Sequence, residues 1–273
     1  MSTSLTKLLT SAVMLVLLAS TVAYAAPASK SESEASHWSY DGSTGPEHWA
    51  HLNAEYAACS AGVEQSPIDI HSDEANKNGN KTKVTVHYKP TSFTFGNSGH
   101  TIQANTSSAA NQLTIGDTKY TLAQFHFHTP SEHLIDGKAS PLELHFVHKS
   151  KTGNLAVLGV LIKEGKGNPA LTEIWSKLPK TKTAADFILK NKIDLSTLLP
   201  SDLDAYRYQG SLTTPPCSEG VKWTVLEKPI EMSKAQIKAF QAIFPDNHRP
   251  VQPQNKRTIA EIEVKAIYYR RTM

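Results

Sequence analysis

The stretch Thr121-Leu122-Ala123-Gln124-Phe125-His126-Phe127-His128 predicts a β-strand with two unlike faces. Successive side chains of a strand point to opposite faces, so His126 and His128 project from one face while Phe125 and Phe127 project from the other. We therefore expect one face to bind and the other to pack. A third imidazole from a neighbouring strand, His145, would complete three nitrogen ligands, the number that a catalytic zinc uses when its fourth position is left to water.

Each of these segments also carries a polar residue two positions before its histidine. Gln124 precedes His126 and Glu143 precedes His145, so each lies on the face of its histidine and can accept the proton of the ring nitrogen that holds no metal. Such outer partners fix the tautomer and the orientation of the ring. A single histidine in a chain with 12 is usually a surface or hydrogen-bonded residue, but the joint pattern favours a metal site.

The length and composition predict one folded domain without nucleic-acid partners. The chain has 273 residues, of which 39% are hydrophobic, and a formal charge of only +3. A core of ordinary size is therefore expected. Basic residues are interleaved with acidic ones, so we expect no basic patch that would bind nucleic acid. We expect a monomer or a homodimer.

The N-terminal residues have the pattern of a secretory signal peptide. Lys7 supplies the positive start, Leu8–Leu18 the apolar run and Ala23-Tyr24-Ala25 a small-residue cleavage site. The alternative is a membrane anchor, but the apolar run is shorter than the roughly 20 residues that span a bilayer. We expect a periplasmic or secreted protein with no membrane contact after cleavage. The predicted division is a signal peptide over 1–25, a flexible leader over 26–36 and a catalytic domain over 37–273.

The two cysteines, Cys59 and Cys217, are expected to form a disulfide. Export places them in an oxidising compartment, where such a pair usually closes. The bridge would close a loop of roughly 160 residues and contribute roughly 5 kcal/mol by the chain-entropy estimate. The alternative is two thiols that bind a metal, although neither lies in a C-x-x-C pair.

Short runs of period-two alternation or high β-propensity predict a β-rich domain. The predicted strands are Lys83–Tyr88, Ser92–Phe95, Gln112–Ile115, Thr121–His128, Leu142–His148, Leu155–Ile162, Val221–Leu226 and Ile262–Tyr268. Ala156–Leu161 is apolar on both faces, as in a central strand. Leu171–Leu178 has helical spacing, and a capping box at Ser233 opens a helix that reaches Phe244. The helices are expected outside a large central sheet.

Read in order, the motifs of this chain resemble those of the α-class carbonic anhydrases over essentially all of Trp38–Tyr269. The motifs are the histidine cluster, Trp38-Ser39-Tyr40, Gly45-Pro46-Glu47-His48-Trp49, Gln65-Ser66-Pro67-Ile68-Asp69-Ile70, Asn97-Ser98-Gly99-His100, Ser131-Glu132-His133, Ser211-Leu212-Thr213-Thr214-Pro215-Pro216-Cys217 and Arg249-Pro250. The resemblance implies a single domain around a large, mostly antiparallel, twisted central β-sheet with peripheral helices. The metal is then expected at the base of a cone-shaped cavity.

The same resemblance implies roles for individual residues. His126, His128 and His145 would bind Zn²⁺, with Gln124 and Glu143 as their outer partners. Thr213 would accept a hydrogen bond from a zinc-bound hydroxide and donate to Glu132, so that the nucleophile is oriented toward carbon dioxide. Thr214 would contact the bicarbonate product. The apolar wall for carbon dioxide would consist of Val147, Val157, Leu212 and Trp223.

Proton transfer to solvent is expected to use His100, which resembles the family's shuttle and can titrate near neutrality. Tyr40 and Asn97 match the residues that order the intervening waters. Thr129-Pro130 follows the second ligand where many animal members have Trp. His133 and His148 are interpreted as hydrogen-bonded structural residues, because His148 lies on the face opposite His145 and His133 lies beyond Pro130.

Two other classes of function compete with zinc-dependent hydration of carbon dioxide. A noncatalytic binding protein on the same fold is one, although retention of the three histidines, Thr213 and Glu132 argues against it. An exported metal buffer that uses surface histidines is the other. It predicts several bound equivalents of metal, whereas a catalyst needs one.

Overall fold

Thirteen strands and four short α-helices are found in the computed structural model over the part of the chain that it describes, residues 37–77 and 82–268. The strands are β1 Asp69–Ile70, β2 Val84–Tyr88, β3 Thr94–Asn97, β4 Ile102–Asn105, β5 Gln112–Ile115, β6 Thr118–His128, β7 Leu134–Ile135, β8 Leu142–Ser150, β9 Leu155–Glu164, β10 Phe187–Ile188, β11 Asp204–Ser211, β12 Glu219–Met232 and β13 Ala260–Tyr268. The helices are α1 Trp49–Leu52, α2 Ala58–Ala61, α3 Thr172–Trp175 and α4 Lys234–Gln241, joined by 3₁₀ turns at Gly42–Thr44, Ala54–Tyr56, Pro169–Leu171 and Leu195–Leu198.

Eleven of the described strands form one sheet in the order β10-β3-β4-β6-β5-β2-β13-β11-β12-β9-β8. β6 also pairs with β8, which closes the eight strands from β6 to β8 in that order into a ring. The pairs β9–β12 and β2–β13 are parallel, and the other pairs in this sheet are antiparallel. β1 and β7 form a separate parallel pair. The predicted fold class, mainly β with peripheral helices and a mostly antiparallel central sheet, is confirmed.

A bulge in β6 decides which way its histidines point. Leu122 pairs with His148 and Gln124 with Val147, so Ala123 is an extra residue between two regular stretches of the ladder. Such an insertion shifts the alternation by one residue. Before the bulge Leu122 is buried in the larger core, and after it Phe125 is buried there, so that Gln124 and both histidines of this strand lie on the opposite face.

The two faces of the sheet bury different clusters. The larger cluster contains the phenylalanines of β6 together with Phe146, Leu158 and Phe240. The smaller cluster, on the histidine face, contains Val157, Tyr208 and Trp223, with Val147 and Leu212 packed against it. The predicted central strand is β9, which lies between β12 and β8 and is buried on both faces over Ala156–Leu161. Burying both faces explains its unbroken apolar sequence.

A third cluster joins the N-terminal segment to the loop after β11. Trp49 is fully buried and contacts Trp38 and Tyr40 edge-on, while its indole nitrogen donates to the carbonyl of Ser39 over 2.8 Å. The predicted Cys59–Cys217 disulfide is present in the same cluster. It ties α2 to the loop that follows β11.

The helices are shorter than their sequence patterns predict. The capping box at Ser233 is present, but α4 ends at Gln241 rather than Phe244. The predicted helix over Leu171–Leu178 is wrong in length, because only a 3₁₀ turn and the four residues of α3 form before Pro179.

None of the helices in the described ranges is long and apolar enough to cross a membrane. The predicted signal peptide over 1–25 and leader over 26–36 lie outside the described residues.

Candidate metal centre and active site

Strand pairing brings the three predicted ligand histidines together. His126 of β6 lies directly opposite His145 of β8, and His128 follows His126 on the same face. The ring centroids are 4.9 Å apart for His126 and His128, 5.2 Å for His126 and His145, and 4.7 Å for His128 and His145. One nitrogen from each ring lies within 4.8 Å of the other two. Three imidazoles at such distances could converge on one metal ion.

Each of the three rings uses its other nitrogen for a hydrogen bond. Nδ1 of His126 donates to Oε1 of Gln124 over 2.8 Å, and Nε2 of His145 donates to Oε1 of Glu143 over 2.8 Å. Nδ1 of His128 donates to the backbone carbonyl of Asn247 over 2.7 Å. These bonds assign the tautomers. They leave Nε2 of His126, Nε2 of His128 and Nδ1 of His145 for a ligand.

The donor set fits a metal ion. Nε2 of His128 is buried and has no hydrogen-bond partner among the described residues. Burial lowers the pKa of all three histidines, to about 4 for His128, and the mutual repulsion of the rings lowers the pKa of His126 further. Neutral imidazoles with a free nitrogen are the form that binds a metal.

Glu143 continues the hydrogen-bond network away from the histidine cluster. Its Oε1 also accepts from Nδ1 of His133 over 2.8 Å, and its Oε2 accepts from the backbone N–H of His133. Nε2 of His133 accepts from the Tyr208 hydroxyl over 2.6 Å, and Ser66 donates to the Tyr208 oxygen over 2.9 Å. Ser66 and Ser211 exchange two backbone-to-hydroxyl bonds. A continuous buried network therefore connects His145 to the segment just before Leu212 and Thr213.

Burial alone would raise the pKa of Glu143, but the charges and hydrogen bonds of His133 and His145 hold it well below its usual range. Glu143 is thus an ionised acceptor for both rings. The group of His133, Glu143 and His145 could by position hold a metal, but its nitrogens facing Glu143 already donate to that carboxylate. We therefore assign this group to the support of His145.

Glu132 is a second buried carboxylate beside the cluster. Its Oε1 accepts from the backbone N–H of Arg249 over 2.9 Å, and its Oε2 lies 3.9 Å from Nδ1 of His145. Oε2 has no hydrogen-bond partner within the described residues. Burial raises the pKa of Glu132, while His145, the Arg249 N–H and the Thr213 side chain oppose that rise. Thr213 itself is buried.

Arg249 anchors the backbone that supports Glu132. Its guanidinium is buried and donates to Oε1 of Gln65 and to the carbonyls of Ser66 and Cys59, each over 2.8 Å. It also lies over the ring of Trp49, 5.7 Å from the centroid. Burial lowers its pKa to about 10, so it stays charged at neutral pH.

The predicted apolar wall is assembled beside the histidines. Val147, Val157 and Trp223 occupy one register row across β8, β9 and β12, and Leu212 packs against the same cluster. The Trp223 ring lies 4.9 Å from the His145 ring. Gly159 lies opposite His145 on β9. A Cβ at this position would lie 3.0 Å from Oε1 of Glu143, so the lack of a side chain leaves room for that carboxylate. Thr214, also predicted to contact product, is half-buried in the loop after Thr213.

His100 lies on the loop between β3 and β4, stacked on Trp38. The ring centroids are 3.7 Å apart and the planes differ by 7°. Burial lowers the pKa of His100 to about 4, and repulsion from His37 and Lys182 adds to the effect. A cavity of about 300 Å³ lies beside this ring and is also lined by Tyr40.

Tyr40 and Asn97, the two residues predicted to order water, have different surroundings. The Tyr40 ring lies 6.5 Å from that of His100, and burial followed by the charges of Glu132 and Asp246 raises its pKa. Asn97 is 3% exposed, donates to the carbonyl of Pro179 and accepts from the N–H of Gly99. Asn97 therefore holds the loop that carries His100.

Sequence reasoning missed four features of the site. The Asn247 carbonyl that orients His128 carries no side-chain signal and is brought near by the fold. Tyr208 lies on β11, a strand that was not predicted. His133 was predicted to be hydrogen-bonded, but not to Glu143. The only available signal for Arg249 was its place in the motif Arg249-Pro250.

The sheet and its three-imidazole cluster define a mainly β protein with a site suited to a single metal ion. A family model described as eukaryotic-type carbonic anhydrase matches residues 44–263. The chain belongs to this α-class carbonic anhydrase family, and the expectation of a carbonic anhydrase is confirmed.

Similar proteins and structures agree with this family. The carbonic anhydrase of Neisseria gonorrhoeae is 43% identical over 247 residues, which are 90% of this chain and 95% of that protein. The α-carbonic anhydrase of Thermovibrio ammonificans, solved with the inhibitor sulfanilamide, has a TM-score of 0.79 at 46% identity and covers 82% of this chain and 99% of that one. A structure of dioscorin complexed with ascorbate has a TM-score of 0.75 at 31% identity, covering 84% and 98%.

Proposed function

We propose that this chain catalyses the reversible hydration of carbon dioxide to bicarbonate and a proton, with one Zn²⁺ held by His126, His128 and His145. The observation that carries the proposal is that the two nitrogens of each histidine ring have different roles. One nitrogen of every histidine is bonded to Gln124, Glu143 or the Asn247 carbonyl, and the other is left toward a common centre. A bound zinc ion would supply an ionised water as nucleophile at neutral pH.

Thr213 and Glu132 are proposed to orient that nucleophile. An ionised Glu132 with Oε2 unengaged can accept the Thr213 proton, which leaves the threonine oxygen as an acceptor only. The nucleophile must then donate to Thr213 and turn a lone pair toward the substrate. The Arg249 N–H keeps the Glu132 carboxyl in place for this task.

Val147, Val157, Leu212 and Trp223 are proposed to hold carbon dioxide. This substrate has no charge, and an apolar wall receives it without the desolvation cost that a polar wall would carry. Thr214 is proposed to contact bicarbonate as it forms.

His100 is proposed to carry the product proton to solvent after its ring leaves Trp38. While it is stacked there its pKa is about 4, too low for a relay near neutrality. Rotation toward the cavity beside it would remove part of the burial that lowers the pKa. Tyr40, at the same cavity, is proposed to order water along the path.

Export with cleavage after residue 25 is also proposed. The Cys59–Cys217 disulfide supports it, because such bonds persist in oxidising compartments. Mass spectrometry of the protein secreted by its host should give a mature chain that begins at Ala26. A mature chain that retains Met1 would contradict this.

Carbon dioxide hydration by the purified chain tests the function. Stopped-flow rates should disappear when dipicolinate removes the metal and return on addition of one equivalent of Zn²⁺. A protein that carries one zinc and does not hydrate carbon dioxide would contradict the proposal. Ascorbate binding without hydration would favour a binding protein like the dioscorin structure, and several bound equivalents of zinc would favour a metal buffer.

A further inference from the structure

Arg207 and Thr224 place two unpaired polar groups side by side on the face of the sheet away from the histidines. They are partners across β11 and β12, and each neighbours a residue of the smaller core, Tyr208 or Trp223, that points the other way. Nη1 of Arg207 and Oγ1 of Thr224 are both buried, and neither has a hydrogen-bond partner in the described ranges. The Thr224 side chain is completely inaccessible.

A second cation approaches the same place. Lys222 lies two residues before Thr224 and therefore diagonal to Arg207 on the same face. Its Nζ lies 5.6 Å from the centroid of the Tyr120 ring. Burial lowers the pKa of Arg207, and the Tyr120 side chain opposes that shift. Within the described part of the chain no carboxylate forms an ion pair with either cation.

Unpaired cations that share a partly buried site are unfavourable unless a counter-charge enters. The two buried groups are both able to donate a hydrogen bond, Nη1 obligatorily and the threonine hydroxyl by rotation. Cross-strand neighbours have Cβ atoms about 5 Å apart, so a species that bridges the ends of these two side chains must be small. A buried guanidinium donor beside a hydroxyl donor selects an acceptor with negative charge.

We propose that Arg207, Thr224 and Lys222 form a binding site for one small monovalent inorganic anion, of the halide class. The anion accepts from Nη1 of Arg207 and from the Thr224 hydroxyl, and Lys222 contributes charge from the rim. This site lies across the sheet from the candidate metal centre and takes no part in the chemistry proposed above.

Bromide is the probe that tests the site, because its anomalous scattering distinguishes it from water. Crystals of the metal-loaded protein soaked in sodium bromide should show an anomalous peak between Arg207 and Thr224. In solution, the melting temperature of the wild type should rise with the logarithm of the bromide concentration above the dissociation constant, by about 3 to 6 °C at ten times that constant, relative to sodium gluconate at equal ionic strength.

Variants separate this site from anion binding at the metal. Arg207→Gln should lose the bromide-dependent rise, and Thr224→Val, which keeps the shape of the side chain, should weaken it if the first variant folds poorly. Lys228→Gln removes a charge from an exposed position of the same strand and should keep the full rise. An equal bromide response in wild type and in both site variants, or a wild-type crystal without the anomalous peak, would overturn the proposal.

Discussion

Nε2 of His145 donates to Oε1 of Glu143, two residues earlier on the same strand, over 2.8 Å. Side chains two apart on a strand share a face, so the geometry of β8 brings this pair together. The same oxygen accepts from His133. Glu143 is therefore held from a second segment, and the orientation of His145 depends on the segment between β6 and β7 as well as on β8 itself.

His133→Ala should weaken metal binding without touching a proposed ligand. Glu143 would lose the Nδ1–H donor of the His133 ring in a buried site while keeping the backbone N–H of residue 133, and loss of such outer support costs about 10- to 100-fold in metal affinity. Competition with a fluorescent zinc chelator measures the change. His148→Ala, which removes a buried imidazole on the opposite face, is the matched control and should lower stability but not affinity. Equal affinities for wild type and His133→Ala would contradict the assignment.

His145→Ala should remove metal and hydration activity together, because two histidines form a weak site. Metal content by mass spectrometry and stopped-flow rates on the same sample give both quantities. His71→Ala, at an exposed histidine, should retain one zinc per chain and full activity. Stoichiometric zinc in His145→Ala would remove this residue from the ligand set.

Thr213→Ala should keep its zinc and hydrate carbon dioxide more slowly. The expected loss in kcat/KM is about 100-fold, as for removal of one preorganised polar partner. Thr213→Ser restores the hydroxyl and should recover most of the rate. If the alanine variant has wild-type kinetics, Thr213 does not orient the nucleophile.

His100→Ala should slow turnover in dilute buffer by at least about tenfold, because the proton loses its carrier. The cavity beside the ring can admit free imidazole, so millimolar imidazole should restore part of the rate. His248→Ala removes another partly exposed ring and should show no such rescue. Wild-type rates for His100→Ala at all buffer concentrations would point to a different relay.

Acid should destabilise the protein through His148. Burial lowers the pKa of this ring to about 4, against opposing contributions from the backbone carbonyls of Ala156 and Phe146. Between pH 6.5 and 4 the unfolded chain binds the proton more readily, so this contribution to stability falls as the pH falls. The loss from pH 7 to 4.5 is about 2 to 3 kcal/mol.

Urea unfolding at these two pH values measures the effect of His148. His148→Gln should lose about 2 to 3 kcal/mol less than the wild type over that interval, whereas His71→Gln, at the exposed ring, should follow the wild type. An identical pH dependence for wild type and His148→Gln would show that other groups govern acid unfolding.

Most of the strands and the candidate cluster could be predicted from the sequence, because both depend on local alternation. Gln112–Ile115 was predicted to the residue, and the strand of His126 to within three residues. β11 was not predicted although Tyr206 and Tyr208 alternate with polar residues, and the shortest strands have too few residues to show a period. The partners of His128 and Glu143 could not be predicted, since long-range packing alone brings Asn247 and His133 to them.

The extra residue at Ala123 makes the two halves of β6 bury opposite sets of side chains in the larger core. Before Ala123, the even-numbered side chains of β6 are buried in the larger core. After it, the odd-numbered side chains are buried there, so the even-numbered histidines lie on the other face. A continuous ladder would have turned the imidazoles into the hydrocarbon interior and the phenylalanines toward solvent. The capacity to collect a cation thus originates in a single backbone insertion outside the cluster, and a change of chain length there would be as damaging as loss of a ligand.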